Sequence, residues 1–149
     1  MKHKSILLMI TLLCCNSLFA DSKSYKSAEL VKPGEPVIGK TIPFLSLEAF
    51  HNNKITMINL ADYKGKWIIL FFYPADFTFV CPTELKEMSD YYSDFKKEGA
   101  EVFSISTDSA YVHKAWQKDN PLLKNLKFPM LSDRSGAFSN ALGVYSKKT

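Results

Sequence analysis

The chain has 149 residues, of which 46% are hydrophobic, so it can bury one compact core but is too short for two domains of ordinary size. Its formal net charge is +4, and Lys2 and Lys4 at the extreme N-terminus contribute to that excess. The other charged residues are mixed in sign along the chain. This composition excludes the basic footprint of a nucleic-acid-binding protein.

Residues 1–20 are typical of a secretory signal. Lys2 and Lys4 give a basic start, residues 6–15 form an apolar stretch, and Ala20 is a small residue suited to cleavage. The apolar stretch is far shorter than the ~20 residues that span a bilayer. We therefore predict a signal peptide, export to the periplasm or the medium, and no membrane association after cleavage.

Cleavage after Ala20 would leave one of the three cysteines. Cys14 and Cys15 would leave with the signal, and Cys81 would remain. A lone cysteine cannot form an internal disulfide, even in a compartment that permits disulfides. It is then a buried apolar side chain, a partner for another chain or a reactive thiol, and the cysteine count leaves these alternatives open.

The mature chain is predicted to begin with a flexible lead-in and to continue as one domain over residues 37–149. The lead-in, residues 21–36, is polar, contains proline and glycine, and shows no sustained period. Two apolar runs within residues 40–60, separated by the polar residues 51–54, predict a β-hairpin. A continuous β-branched and aromatic run at residues 67–73 predicts a strand buried on both faces.

The elements that follow alternate between helical and strand patterns. The first is a helix that has apolar residues at steps of three and four from Leu85 and ends at Gly99. It is followed by a strand at 101–107, a helix at 109–118 and a short helix at 133–143. Asp108 or Ser109 can cap the second of these helices. The alternation predicts an α/β fold with a mostly parallel sheet and helices on its faces.

Residues 74–84 join the predicted strand to the predicted helix, which places Cys81 within the first turn of that helix. Free backbone N–H groups and the positive end of the helix dipole favour a thiolate there. Pro82 suits a helix start, where its missing N–H costs little. A dithiol exchange site would need a second cysteine at position 84, which is Glu84. The remaining use of an activated thiol is as a nucleophile that peroxide oxidises to sulfenic acid.

The same segment carries a family resemblance. Pro74, Thr78 and Cys81 have the spacing P-x-x-x-T-x-x-C, and the string FFYPADFTFVCPTEL resembles the active-site signature of peroxiredoxins of the typical two-cysteine, alkyl hydroperoxide reductase type. Further similarity, in strings such as DYKGKWIILFFYP, FSISTDS and FPMLSD, extends over residues 36–146. The resemblance implies a thioredoxin-like fold with a central mixed sheet and flanking helices. It implies that Cys81 is the peroxidatic cysteine, that Thr78 donates a hydrogen bond to the peroxide and that Pro74 shields the site.

Other polar and aromatic residues have less specific interpretations. Glu84 is either a first-turn residue favoured by the helix dipole or, as in the family, an acceptor that holds an arginine over the site. Trp116 is expected to pack in the core. His51 and His113 are expected to be surface or structural residues, because neither has a cluster of metal ligands around it. No metal, haem or flavin cofactor is expected.

Two features of the family are not found in this sequence. The family's active-site arginine falls on a strand beyond Thr149, and Arg134 does not match its position. The resolving cysteine that typical two-cysteine members carry near the C-terminus is also not found. We expect either a fragment that lacks the C-terminal part of the domain or a natural truncation with impaired turnover.

The resemblance implies a thiol peroxidase that reduces hydrogen peroxide and organic hydroperoxides through a sulfenic acid on Cys81. A thioredoxin-like reductant would recycle the enzyme in antioxidant defence, and the chain would form a homodimer or a higher homo-oligomer. The alternative is an oligomeric holdase chaperone with little peroxidase turnover. Removal of Cys81 separates the two, because only the peroxidase needs the thiol.

Overall fold

The computed structural model describes residues 38–39, 41–42 and 45–145, so the predicted signal peptide and lead-in lie outside the described residues. The strands are β1 (Ser46–His51), β2 (Lys54–Asn59), β3 (Trp67–Phe72), β4 (Ala100–Ser106) and β5 (Met130–Ser132). The helices are α1 (Cys81–Asp90), α2 (Tyr92–Lys97), α3 (Ala110–Asp119) and α4 (Ala137–Ala141), and a 3₁₀ helix (Leu60–Tyr63) links β2 to β3.

The five strands form one mixed sheet in the order β2-β1-β5-β4-β3. Strands β3, β4 and β5 are parallel, whereas β1 runs antiparallel to both β2 and β5. The predicted hairpin is thus confirmed, and it makes the sheet mixed instead of mostly parallel. Asn52 and Asn53 form its two-residue turn with φ of 48° and 61°, the left-handed conformation that such turns need and that asparagine tolerates.

The prediction that the strand at residues 67–73 is buried on both faces is wrong. The residues of β3 are partly exposed, and Trp67 is 78% exposed. Within the described residues β3 lies at the edge of the sheet and pairs with β4 alone, whereas β4 has a neighbour on each side and every one of its residues is buried. An apolar run indicates that a segment forms a strand, but it does not indicate whether that strand lies at the centre or at the edge of the sheet.

The helices follow the predicted periodicity with shifted bounds. The first predicted helix breaks at Tyr91 into α1 and α2, and Gly99 follows with φ of 76°. Ser109 caps α3, its hydroxyl accepting a hydrogen bond from the Val112 amide at 3.3 Å. The last helix is shorter than predicted, because Asp133 stays outside it and accepts hydrogen bonds from backbone amides of its first turn.

Two apolar clusters cover the faces of the sheet. One contains Leu85 of α1, Trp116 of α3 and Cys81, and the other contains Phe103 of β4 and Phe138 of α4. Trp116 is 1% exposed, as expected for a core residue. Among the residues that the structure describes, no helix combines the length and apolarity needed to cross a membrane.

Candidate active site

The candidate site lies where β3 ends and α1 begins. We call the connection, residues 74–80, the site loop. Cys81 is the first residue of α1 and is 7% exposed, in agreement with its predicted place at a helix start. It is the free cysteine of the described part of the chain. No side chain caps α1, Pro82 carries no N–H, and the Thr83 amide donates to the Val80 carbonyl at 3.0 Å. Cys81 therefore lies at the positive end of the helix dipole, which favours an anion at the sulfur.

Thr78 lies on the site loop, partly buried, three positions before Cys81. Its hydroxyl donates a hydrogen bond to the Ala75 carbonyl at 3.2 Å. The hydroxyl hydrogen is therefore engaged within the loop, and the oxygen lone pairs remain free to accept. Donation to a bound molecule requires the hydroxyl to rotate away from Ala75, so the predicted donor role of Thr78 stays a prediction.

Pro74 and Glu84 flank this arrangement on either side. Pro74 is exposed and borders a concavity of about 420 Å³ at the carboxyl ends of β3 and β4, which Tyr73, Ser106 and Thr107 also line. Glu84 is exposed in the first turn of α1, where the helix amides favour a negative charge. All the predicted site residues thus lie in the β3–α1 connection or in the first turn of α1.

The loop exposes apolar side chains beside Cys81. Phe77 is 56% exposed, Val80 is 64% exposed and Phe79 is 99% exposed. Phe77 also has φ of 57°, and the left-handed conformation costs a residue other than glycine about 1–2 kcal/mol. Its ring lies 6.2 Å from the ring of Trp116. The segment before the cysteine is therefore both apolar at its surface and strained in its backbone.

A buried polar network, which sequence reasoning missed, lies beneath the loop. The Tyr73 hydroxyl donates to one carboxylate oxygen of Asp76 at 2.7 Å, and His113 Nδ1 lies 2.7 Å from the other. His113 Nε2 faces the Leu131 carbonyl at 3.2 Å. The Asp76 amide donates to the Asp108 carboxylate at 2.7 Å. Both nitrogens of His113 thus face oxygen atoms that can accept a hydrogen bond.

Of the two roles expected for His113, surface or structural, the structure supports the structural one. Its side chain and that of Asp76 are each 0% exposed. Its spacing of three from Trp116 puts both on the inner face of α3, which is the signal that could have indicated burial. His51 is half-buried, and its pKa is lowered because burial disfavours the charged ring. The charge of Glu101 and a backbone hydrogen bond to Phe128 raise this pKa, but by less.

The network keeps its tyrosine protonated. Burial first, and then the charge and hydrogen bond of Asp76, raise the pKa of Tyr73 well above its usual range. A neutral hydroxyl is the form that can donate to a carboxylate. Tyr73 therefore acts in this site as a hydrogen-bond donor and as a stacking partner of Trp116, whose ring centroid lies 5.9 Å away.

A larger concavity lies away from the predicted residues. It measures about 970 Å³, and its charged lining consists of lysines from α3 and the segment after it: Lys114, Lys118, Lys124 and Lys127. Within residues 45–145 and the short stretches before them, no group of three or more His, Cys, Asp or Glu side chains could hold a metal ion. The site loop, which leads to Cys81, therefore remains the candidate for the reactive site.

A mixed α/β sheet with a buried cysteine at the first turn of the helix after β3 defines a thioredoxin-like thiol protein. A model of the AhpC/TSA family matches residues 38–149, and the chain belongs to this family. The expected family and the expected thioredoxin-like fold are both confirmed.

Known proteins of this family resemble the chain over most of its length. It is 41% identical over 114 residues to alkyl hydroperoxide reductase C of Amphibacillus xylanus, covering 76% of this chain and 61% of that protein. It is 42% identical over 100 residues to alkyl hydroperoxide reductase C of Escherichia coli K12, which covers 67% of this chain and 53% of that protein. The crystal structure of Enterococcus faecalis AhpC superposes with a TM-score of 0.73 at 40% identity, and the match covers 76% of this chain and 68% of that one. The chain thus spans about half to three fifths of the length of these curated relatives.

Proposed function

We propose that the protein is a peroxidase that reduces hydrogen peroxide and organic hydroperoxides at Cys81. The observation that carries the proposal is the position of this thiol, buried in the first turn of α1, where the backbone amides form the positive end of the helix dipole. Such amides stabilise a thiolate and charge that develops next to it. Membership of the AhpC/TSA family supports the same chemistry.

In the proposed reaction the Cys81 thiolate attacks one oxygen of the hydroperoxide. The S–O bond forms as the O–O bond breaks, so sulfur is oxidised to sulfenic acid and the peroxide is reduced. The departing oxygen takes up a proton and leaves as water or as an alcohol. Thr78 would turn its hydroxyl from Ala75 towards the peroxide, and Pro74 would limit the access of water.

Recycling needs two further electrons. A thioredoxin-like dithiol would attack the sulfenic sulfur, release water and then resolve the mixed disulfide, leaving Cys81 reduced and the dithiol oxidised. Glu84 is exposed one helical turn from Cys81, so it is available to hold a cationic group over the site. This cycle would serve antioxidant defence and redox homeostasis.

The test compares the protein with Cys81→Ser, which replaces the thiol by a hydroxyl of similar size in the same buried position. The unmodified protein should consume hydrogen peroxide and gain the mass of a dimedone adduct on Cys81, and the variant should do neither. Peroxide consumption at an equal rate by both proteins would contradict the proposal. Suppression of client aggregation, measured in parallel, would identify a holdase if both proteins suppress it and neither consumes peroxide.

We also propose that the protein works as a homodimer or a larger homo-oligomer. The exposed side chains of Phe77, Phe79 and Val80 support this, because an apolar surface beside a reactive group is stabilised when a second molecule covers it. Light scattering of the purified protein and of Phe79→Ser measures the effect. A monomer in both cases would contradict the proposal.

Export is proposed from the N-terminal sequence alone. The basic start and short apolar run of residues 1–20 support secretion with removal of that segment. N-terminal sequencing of protein from the periplasm or the medium should begin after Ala20. Material that begins at Met1, or that is confined to the cytoplasm, would contradict this.

A further inference from the structure

We propose that Asp76 and His113 are positioning residues, which hold the site loop in the strained conformation that presents Thr78 and Cys81. The inference rests on the proposed function of Cys81, because it concerns how that thiol is presented. Neither residue is expected to touch the peroxide. Both act through the backbone of the loop.

Asp76 is the most firmly held residue of the loop. Its carboxylate accepts a hydrogen bond from Tyr73 at 2.7 Å and pairs with His113 at 2.7 Å, and its amide donates to Asp108 at 2.7 Å. These partners come from the end of β3, from α3 and from the turn that precedes α3. A residue fixed from three separate elements has little freedom to turn.

His113 connects this anchor to the interior of the sheet. Its Nδ1 faces Asp76, and its Nε2 faces the backbone carbonyl of Leu131 in β5 at 3.2 Å. Strand β5 lies between β1 and β4, so it is a rigid support. The ring therefore bridges the loop and a central strand, and its removal would leave one oxygen of a buried carboxylate without a hydrogen-bond partner.

The strain begins at the next residue. Phe77 has φ of 57°, a conformation that a bulky side chain adopts only where its surroundings impose it. The anchor at Asp76 lies before this residue, and the hydrogen bond from Thr78 to the Ala75 carbonyl closes the loop around it. Without the anchor, Phe77 can relax, and the direction of the chain into Thr78 and Cys81 changes with it.

The network also joins the core cluster that contains the thiol, through Tyr73. Tyr73, Trp116 and Cys81 belong to the same buried cluster. A shift of Asp76 is therefore transmitted along the loop backbone and through this cluster. Misplacement of a reacting group by about 1 Å can cost on the order of 100-fold in rate.

The chain offers a closely matched control at the other end of β4. The Glu101 side chain is 9% exposed, accepts a hydrogen bond from the hydroxyl of Tyr92 at 2.6 Å and pairs with Lys96 at 2.7 Å. Asp76→Asn and Glu101→Gln therefore each replace by an amide a buried carboxylate that accepts a hydrogen bond from a tyrosine and contacts a basic side chain. Tyr73→Phe and Tyr92→Phe form a second, milder pair, in which one hydroxyl is removed.

The experiment measures two quantities in the full chain under conditions where every variant is folded. One is the second-order rate of Cys81 oxidation by hydrogen peroxide, and the other is hydrogen exchange of the amides of residues 75–80. We expect Asp76→Asn and His113→Leu to slow oxidation by about tenfold or more and to speed loop exchange by a similar factor. Glu101→Gln should stay within about twofold on both, although it loses comparable stability.

The two proposals fail in different ways. If the unmodified protein does not react with peroxide, the proposed function fails, and loop exchange alone decides the positioning role. If Asp76→Asn does not fold, the Tyr73→Phe and Tyr92→Phe pair gives the same comparison with an expected effect of about threefold. Equal loop exchange in the two members of either pair, or equal oxidation rates in a protein that does react, would overturn the inference.

Discussion

Two threonines near Cys81 make the same hydrogen bond, which allows a chemical role to be separated from a structural one. The Thr78 hydroxyl donates to the carbonyl of the residue three positions earlier at 3.2 Å, and the Thr83 hydroxyl does the same at 2.7 Å. Thr78 is partly buried in the site loop, whereas Thr83 is exposed on α1. Valine has nearly the shape of threonine and lacks the hydroxyl. Thr78→Val and Thr83→Val therefore delete the same local bond on either side of the thiol.

The two substitutions should have similar effects on stability and very different effects on rate. A net hydrogen bond contributes about 0.5–1.5 kcal/mol to stability, and the shorter bond belongs to Thr83, so Thr83→Val should cost at least as much. A donor aimed at charge that develops in a transition state contributes about 10²–10³ in rate. We therefore expect Thr78→Val to slow oxidation of Cys81 about 100-fold, and Thr83→Val to change it less than about threefold.

The assay is stopped-flow oxidation by hydrogen peroxide, with alkylation of Cys81 by iodoacetamide as a second reaction that needs no donor to an oxygen. Thr78→Val should slow the first reaction much more than the second. Thr78→Ser keeps a hydroxyl and should retain most of the rate. Equal slowing by Thr78→Val and Thr83→Val, or equal slowing of the two reactions, would refute the donor role of Thr78.

Other predictions concern stability and can be checked by urea unfolding. Burial raises the pKa of Glu101, but hydrogen bonds from Lys96 and Tyr92 and the charge of Lys96 lower it more. The stability that this carboxylate contributes is therefore fully present above its pKa in the unfolded state, about 4.3, and is lost as the pH falls through its lower pKa in the folded state. Glu101→Gln should make the free energy of unfolding fall less steeply over that acidic range. Trp116→Ala should cost about 3–5 kcal/mol because the ring is 1% exposed; a loss below about 1 kcal/mol would contradict its core role. Gly99→Ala should cost about 1–2 kcal/mol through its φ of 76° alone, since an added Cβ meets no atom within 4 Å; an unchanged stability would contradict this.

Local patterns predicted those parts of the fold that local forces determine. The Asn52-Asn53 turn, the Ser109 cap and the helix α3 each depend on neighbouring residues, and each is observed. Strand β5 has three residues, too few for a period to appear in the sequence. The edge position of β3 depends on which strands pair, and pairing joins residues far apart in the chain.

The same distinction applies to the site. Cys81 and Thr78 were predicted because their signature lies within one short segment. The network was missed because Asp76 and His113 are 37 positions apart, and their pairing depends on how α3 packs over the sheet. Neither residue has a neighbour in sequence that indicates its partner. A buried Asp is a polar residue in an apolar setting, so its role appears only when its surroundings are known.

Residues 76–80 reverse the usual distribution of side chains between interior and surface. The Asp76 carboxylate is buried, whereas the ring of Phe79 is 99% exposed. Exposing a large aromatic side chain forgoes about 1.5–3 kcal/mol of hydrophobic stabilisation, and burying a carboxylate requires several well-formed hydrogen bonds. Folding stability alone would favour the opposite arrangement. Violations of local rules concentrate at functional sites, and this one adjoins the only thiol of the described residues. Under the proposed positioning role, the bonds of the carboxylate would hold the loop while its apolar side chains remain at the surface, where a second molecule could cover them.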